Sequence, residues 1–384
     1  TLNDAGVDID RVLSVRDTKS GIIEALDLIK PTTKLVLITG GLGPTRDDIT
    51  KHTLNEYFGG ELVFNQEAYD NVERIFKMFN REVIEVNRQQ AFVPSASKML
   101  LNEMGTAPGM LFERHGTYYI SMPGVPYEMK HIVNTHILPL IKEKLNTGVV
   151  LHHTLLTQGV GESFLAEMIK DWENELHSEL SLAYLPSPGM VKLRLTIKGE
   201  NEERLQSILS EAVSKVKPLI EKHIYGEEGD TLEIILGKLL KDRKATLATA
   251  ESCTGGNIAR MITSVAGSSA YFNGSVVAYA NEVKQNILGV KESDLIEYGA
   301  VSEPVVRQMA EGVKNAIGTH YAIATSGIAG PDGGTEEKPV GTIWIAVSGP
   351  KGTKAQKFSF GNNRIRNIKK TTFMGMNMLR ELLL

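Results

Sequence analysis

A single cysteine, Cys253, among 384 residues leaves no intrachain disulfide and no cysteine-based structural zinc site. Charge of one sign is missing too. The 42 Lys and Arg nearly balance the 46 Asp and Glu, so no basic field exists to draw in a polyanion. Aromatics are only 6 %, with no basic run interleaved among them of the kind that stacks single-stranded bases, so direct nucleic-acid binding is disfavoured. The apolar runs are of strand length, well short of the roughly 20 residues that cross a bilayer. No charged-then-apolar leader opens the sequence either. These absences point to a cytoplasmic protein that does not engage a membrane.

What is present is globular: 42 % hydrophobic residues supply more than one core. The first part alternates short apolar runs with amphipathic segments, as in the helical spacing of Ser20–Ile29 followed by the strand-like Leu35–Thr39. This rhythm predicts a mostly parallel sheet with helices on its faces. A smaller middle unit follows, with two strands around a Pro/Gly turn in SLAYLPSPGMVKLRLTIKG and an amphipathic helix on either side. It carries no catalytic cluster and reads as a connector or dimerisation module. After GEEGD (226–230), strand, Gly-rich turn and helix recur at ATLATAESCTGG and at YAIATSGIAGPDGG. The last amphipathic helix is expected from Lys369. The boundaries are 1–148, 149–228 and 229–384, α/β at both ends and α+β in the middle.

Ligands of open α/β sheets sit at the carboxyl ends of strands. Glu251, Ser252, Cys253, Thr254, Gly255 and Gly256 occupy such a turn, where small residues let amides approach a ligand. A serine there is a phosphate binder, a helix cap or a nucleophile beside an oxyanion site. Downstream, Tyr279 and Lys284 are five residues apart at a strand-to-helix transition. Lys284 is either a solvated helix lysine or, with its pKa lowered, a base; Tyr279 is a core residue or a proton relay. Thr325, Ser326 and Gly327 can present hydroxyl and amide donors. Asp332, Glu336 and Glu337 read as solvated turn residues rather than metal ligands. Arg364 in FGNNR is placed in a loop before the last helix, suited to clamping a phosphate. Near the start, TGGLGPTRDDIT offers Thr39, Gly40, Gly41, Gly43 and Thr45 as a phosphate loop, and Asp47 with Asp48 as holders of a divalent metal. GTAPG (105–109) and MPGVP (122–126) add further Gly/Pro loops to the same half.

AESCTGG, YFNGSVVAYANEVK, GAVSEPVV and SGIAGPDGGTEEKPVGT, in that order, resemble the nicotinamide-mononucleotide deamidase (PncC) domain. Following a GGLGPTRDD region, that domain makes essentially the whole chain resemble the competence/damage-inducible protein A (CinA) family. The first part is similar to the molybdopterin-binding (MoaB/MogA-like) three-layer fold. The resemblance implies hydrolysis of the carboxamide of nicotinamide mononucleotide, with Ser252 as nucleophile, Lys284 as base, Tyr279 as nearby catalytic tyrosine and no cofactor. It puts Thr325 in the loop lining the substrate pocket, and it gives the nucleophile role to Ser252 rather than Cys253. Arg364 matches the arginine of a GDR-type motif, here Asn362–Asn363–Arg364 without the acid. For the first domain the family implies metal-dependent ADP-ribose pyrophosphatase activity, and for the whole a homodimer. Relatives open with a strand and a GDELL-type stretch not found before Thr1, so the first sheet is expected without that strand. A non-catalytic, competence-associated binding protein is the alternative from a different class.

Overall fold

The structure, a computed structural model, describes residues 2, 5–45, 47–145 and 147–384. It divides into two compact units, Thr1–Val150 and Leu151–Leu384.

In the first unit the strands are β1 (Leu35–Thr39), β2 (Leu62–Phe64), β3 (Phe92–Pro94), β4 (Lys98–Leu100), β5 (Gly109–Arg114) and β6 (Thr117–Met122). The main sheet runs β1-β6-β5-β4, with β2 and β3 paired separately. Only β1 and β6 are parallel, which corrects the mostly parallel sheet expected here. The cause is local. His115 and Gly116 both take positive φ (53° and 77°), the two-residue turn that matches strand twist and folds β5 back on β6. Side chains of β6 alternate between two cores. Tyr119 joins Ile22, Leu26 and Leu54 on one face, and Ile120 with Met122 joins Ile132 and Ile141 on the other. Helices thus cover both faces, giving the three-layer arrangement.

The second unit adds β7 (Val149–Gln158), β8 (Leu180–Ser187), β9 (Met190–Gly199), β10 (Ile224–Glu227), β11 (Leu247–Glu251), β12 (Phe272–Val277), β13 (Tyr321–Gly327), β14 (Thr342–Gly349) and β15 (Gly352–Ser359). The segment read as a middle unit forms the sheet β10-β7-β9-β8 with helices Glu162–Asn174 and Glu202–Ile220. Its Leu156 and Tyr225 bury in one cluster with Leu236 and Ile345 of the following segment.

The other sheet runs β12-β11-β13-β14-β15, its first three strands parallel and the last two antiparallel. Leu247, Ile323, Ile343 and Ile345 pack on the face of helices Leu232–Asp242 and Arg364–Leu383. Alanines at 248, 250, 322, 324 and 346 turn to the opposite face, where helix Glu303–Ile317 approaches closely. From β11 the chain passes to β12 on one side and then to β13 on the other. The strand order therefore reverses beside β11, the position at which open α/β sheets form a crevice.

Close packing here sets a stability prediction. A Cβ at Gly312 would lie 1.9 Å from the Leu288 carbonyl oxygen and 2.7 Å from its carbon. Alanine normally favours a helix interior by about 1 kcal/mol over glycine, but a clash with fixed backbone outweighs it. Gly312→Ala is expected to destabilise by about 1–3 kcal/mol, read as a lowered midpoint in chemical denaturation.

Candidate active site

The turn after β11 is held from both sides by backbone pairing. Register places Glu251 opposite Thr325, so the Ser252 amide donates to the Thr325 carbonyl at 3.0 Å. The Gly255 amide closes the turn on Ser252 O at 3.1 Å, and Gly255 and Gly256 take positive φ (60° and 93°) before helix Asn257–Thr263 begins. The amides of Cys253 and Thr254 have no backbone acceptor among the described residues.

Glu251, which the sequence places in this turn without assigning it a role, organises it. It is fully buried, and its carboxylate accepts from the amides of Ile258 (3.0 Å) and Ala259 (2.8 Å) at the start of that helix. The Thr249 hydroxyl lies 3.3 Å from Oε1 and 2.7 Å from Ser275 Oγ. A carboxylate at a helix N-terminus takes up its unpaired amides and complements the dipole. The signal available in the sequence was a lone acid entering a small-residue turn whose N-cap position is a glycine. In Glu251→Gln one of the two amides would face an NH2 group. We expect a lowered thermal midpoint, checked by calorimetry.

A cleft of about 200 Å³ opens at this switch point, lined by Ser252, Cys253, Lys284, Ser326, Gly327 and Arg364 together with Tyr279, Asn281 and Ala300. Lys284, only 2 % exposed, sits on the short helix Asn281–Asn286. Its Nζ donates to the carbonyls of Ala278 (2.8 Å) and Tyr279 (3.3 Å). Burial pulls the lysine below its ordinary value, against the opposing pull of Cys253 and Glu282. The Cys253 thiol is buried and pushed up to about 12, chiefly by desolvation.

Other expected site residues fall differently. Tyr279 is not a core residue: it is 63 % exposed at the cleft, its hydroxyl 3.0 Å from Arg364 Nη2. Arg364 also donates to the Gly330 carbonyl at 2.8 Å. It does not lie in a loop. Asn363 caps the last helix by accepting from the Arg366 amide, so that helix starts at Arg364 rather than Lys369. Thr254 and Thr325 are buried with their hydroxyls 2.8 Å apart, so they lock the turn after β11 to β13. Gly255 and Gly256 shape the turn and are not among the lining residues. Ser326 and Gly327 do line it.

In the first unit, Thr39 ends β1 and donates to the Pro123 carbonyl at 3.2 Å, bringing the MPGVP loop against the TGGLG loop. Gly40 (φ 102°) bonds back to Met122 O, and Gly41 (φ 68°) leaves no room for a side chain, since a Cβ would lie 2.1 Å from Thr50 Oγ1. The Asp48 carboxylate folds inward against Gly43 and accepts from the amide and hydroxyl of Thr45. Asp47 is exposed, and Arg46 lies outside the described residues. Among the described residues no three His, Cys, Asp or Glu side chains cluster to hold a metal. Thr45 contacts both Asp47 and Asp48, the two carboxylates expected to hold a divalent metal. No helix among the described residues is long and apolar enough to cross a membrane.

Comparison with known proteins follows these divisions. Residues 229–383 match the family described as the CinA C-terminal domain. Residues 1–143 match the probable molybdopterin binding domain, and residues 152–226 the damage-inducible protein CinA KH domain. The chain is 47 % identical over 380 residues to a CinA-like protein of Cytophaga hutchinsonii, covering 99 % of this chain and 91 % of that one. A CinA-like protein of Flavobacterium psychrophilum is 44 % identical over 381 residues, again 99 % and 91 %. A solved competence/damage inducible protein from Agrobacterium tumefaciens is 35 % identical over 40 % of this chain and 94 % of its own, with a TM-score of 0.39.

Proposed function

The chain belongs to the CinA family, and from that premise we propose that its C-terminal α/β segment hydrolyses the carboxamide of nicotinamide mononucleotide to nicotinate mononucleotide and ammonia. One observation carries the proposal. A serine on a tight strand-to-helix turn and a buried lysine with a lowered pKa share one small cleft at the switch point of the sheet.

In this mechanism Ser252 Oγ adds to the carboxamide carbon while its proton passes to Lys284 Nζ. The developing oxyanion faces the amides of Cys253 and Thr254. The first amides of helix Asn257–Thr263 are already taken by Glu251 and are not part of that cradle. Collapse breaks the carbon–nitrogen bond as Lys284 returns its proton to the leaving nitrogen. Ammonia departs and an acyl ester remains on Ser252. Water, giving a proton to Lys284, then splits the ester, releases the acid and restores the serine. Arg364 and the phenol of Tyr279, joined at the cleft, are positioned to take the phosphate of the nucleotide.

The primary test is ammonia release from nicotinamide mononucleotide by the whole chain. Ammonia accompanied by an equal amount of nicotinate mononucleotide is the expected outcome. Binding of the nucleotide with no ammonia formed would move the assignment to a binding role.

A further inference from the structure

We propose that Ser326 reads the amide nitrogen of the substrate, and so separates a carboxamide from the carboxylate it becomes. The inference rests on the deamidase assignment above. Ser326 lies near the end of β13, is 1 % exposed and lines the cleft with Ser252. Its hydroxyl sits 2.7 Å from the Ala300 carbonyl. A carbonyl only accepts, so the single hydroxyl proton of Ser326 is directed at Ala300, and Oγ can only accept from any further partner.

The acceptor for that proton is held in place. Ser302 Oγ donates to the Gly299 carbonyl at 2.7 Å, and Lys338 donates to the Tyr298 carbonyl, so the backbone leading into Ala300 is tied down. Turning the Ser326 hydroxyl round would take this donor away from the half-buried Ala300 carbonyl.

Arg364 donates, and Tyr279, whose oxygen accepts from Arg364, keeps its own proton to give. Lys284 in its neutral form spends both hydrogens on the Ala278 and Tyr279 carbonyls. Ser326, with its proton directed at Ala300, offers a substrate an acceptor and no donor. A carboxamide matches this set with its NH2 on Ser326 and its oxygen toward the amides of Cys253 and Thr254. A carboxylate has no hydrogen to offer, and one of its oxygens would face the lone pairs of Oγ. Hydrolysis converts the first arrangement into the second, so the product is repelled from the position in which it forms. A site that hydrogen-bonds an N–H discriminates strongly against an analogue lacking it.

The test uses binding rather than turnover. Nicotinamide mononucleotide and nicotinate mononucleotide are titrated calorimetrically into the full chain carrying Ser252→Ala, and into the same chain carrying Ser252→Ala with Ser326→Ala. The first protein is expected to favour the amide. In the second, that preference falls about tenfold. A purely structural hydroxyl, tying two loops together, would weaken both nucleotides equally. An unchanged ratio of dissociation constants therefore overturns the proposal while leaving the deamidase assignment intact. If neither nucleotide binds either protein, the deamidase assignment fails and this inference with it. Should alanine at 326 unfold the loop, Ser326→Cys keeps the volume with a poor acceptor and reads the same ratio.

Discussion

Ser252→Ala is expected to lower ammonia release from nicotinamide mononucleotide by about 10^4-fold or more while leaving nucleotide binding largely in place. The size follows from the chemistry: without the hydroxyl no acyl ester forms, and only the oxyanion cradle and orientation remain to help a direct attack by water. The neighbouring thiol offers no substitute. Cys253 lines the same cleft, but burial pushes its pKa up to about 12, and the hydrogen bond from Thr325 only partly offsets that. At neutral pH it is a thiol and not a thiolate, hence a weak nucleophile. The fold should tolerate the change, because Ser252 is anchored through its amide to Thr325 O and not through its side chain. A coupled ammonia assay on both proteins, at matched concentration and with melting curves to certify folding, decides the matter. Activity at the parent level in Ser252→Ala would remove the serine mechanism.

The parts of this site legible in the sequence are those fixed by local chemistry. LVLIT and TIWIAVSG are strands with the bounds their apolar runs suggest. ESCTGG is a strand-to-helix turn because small residues and positive-φ glycines allow little else there. Tyr279 and Lys284 flank a strand-to-helix transition as their spacing implied. What could not be read depends on register between distant strands. Nothing local says that Glu251 lies opposite Thr325, yet that pairing sets Thr254 against Thr325 and bonds their hydroxyls to each other. Asn363 shows a different failure. Its neighbours suggested a loop arginine, but an asparagine followed by an amphipathic run is also a helix cap, and the cap prevailed. In the first unit, Asp47 and Asp48 look alike in sequence. Only the folded loop shows Asp48 accepting from both the amide and the hydroxyl of Thr45, while Asp47 meets that hydroxyl from an exposed position.

Lys284→Met should keep the fold and lose about 10^2–10^4-fold in kcat/KM, because an unbranched apolar side chain fills the buried space of the lysine stem without supplying a base. The hydrogen-bond geometry explains why a lysine can serve. A neutral amine has two N–H bonds and one lone pair. The carbonyls of Ala278 and Tyr279 take up two hydrogens, which leaves the lone pair free to accept the serine proton. The pH dependence follows in sign. Burial disfavours the ammonium form, so the folded pKa lies below the ordinary 10.5, although Cys253 and Glu282 pull it partly back. Below the folded pKa Lys284 carries its proton and cannot act as base. kcat/KM should therefore rise with pH through an apparent pKa below 10.5 and level off above it. In Lys284→Met the residual activity should lose that limb. A methionine variant that kept the same ascending limb would assign it to another group and displace Lys284 from the role of base.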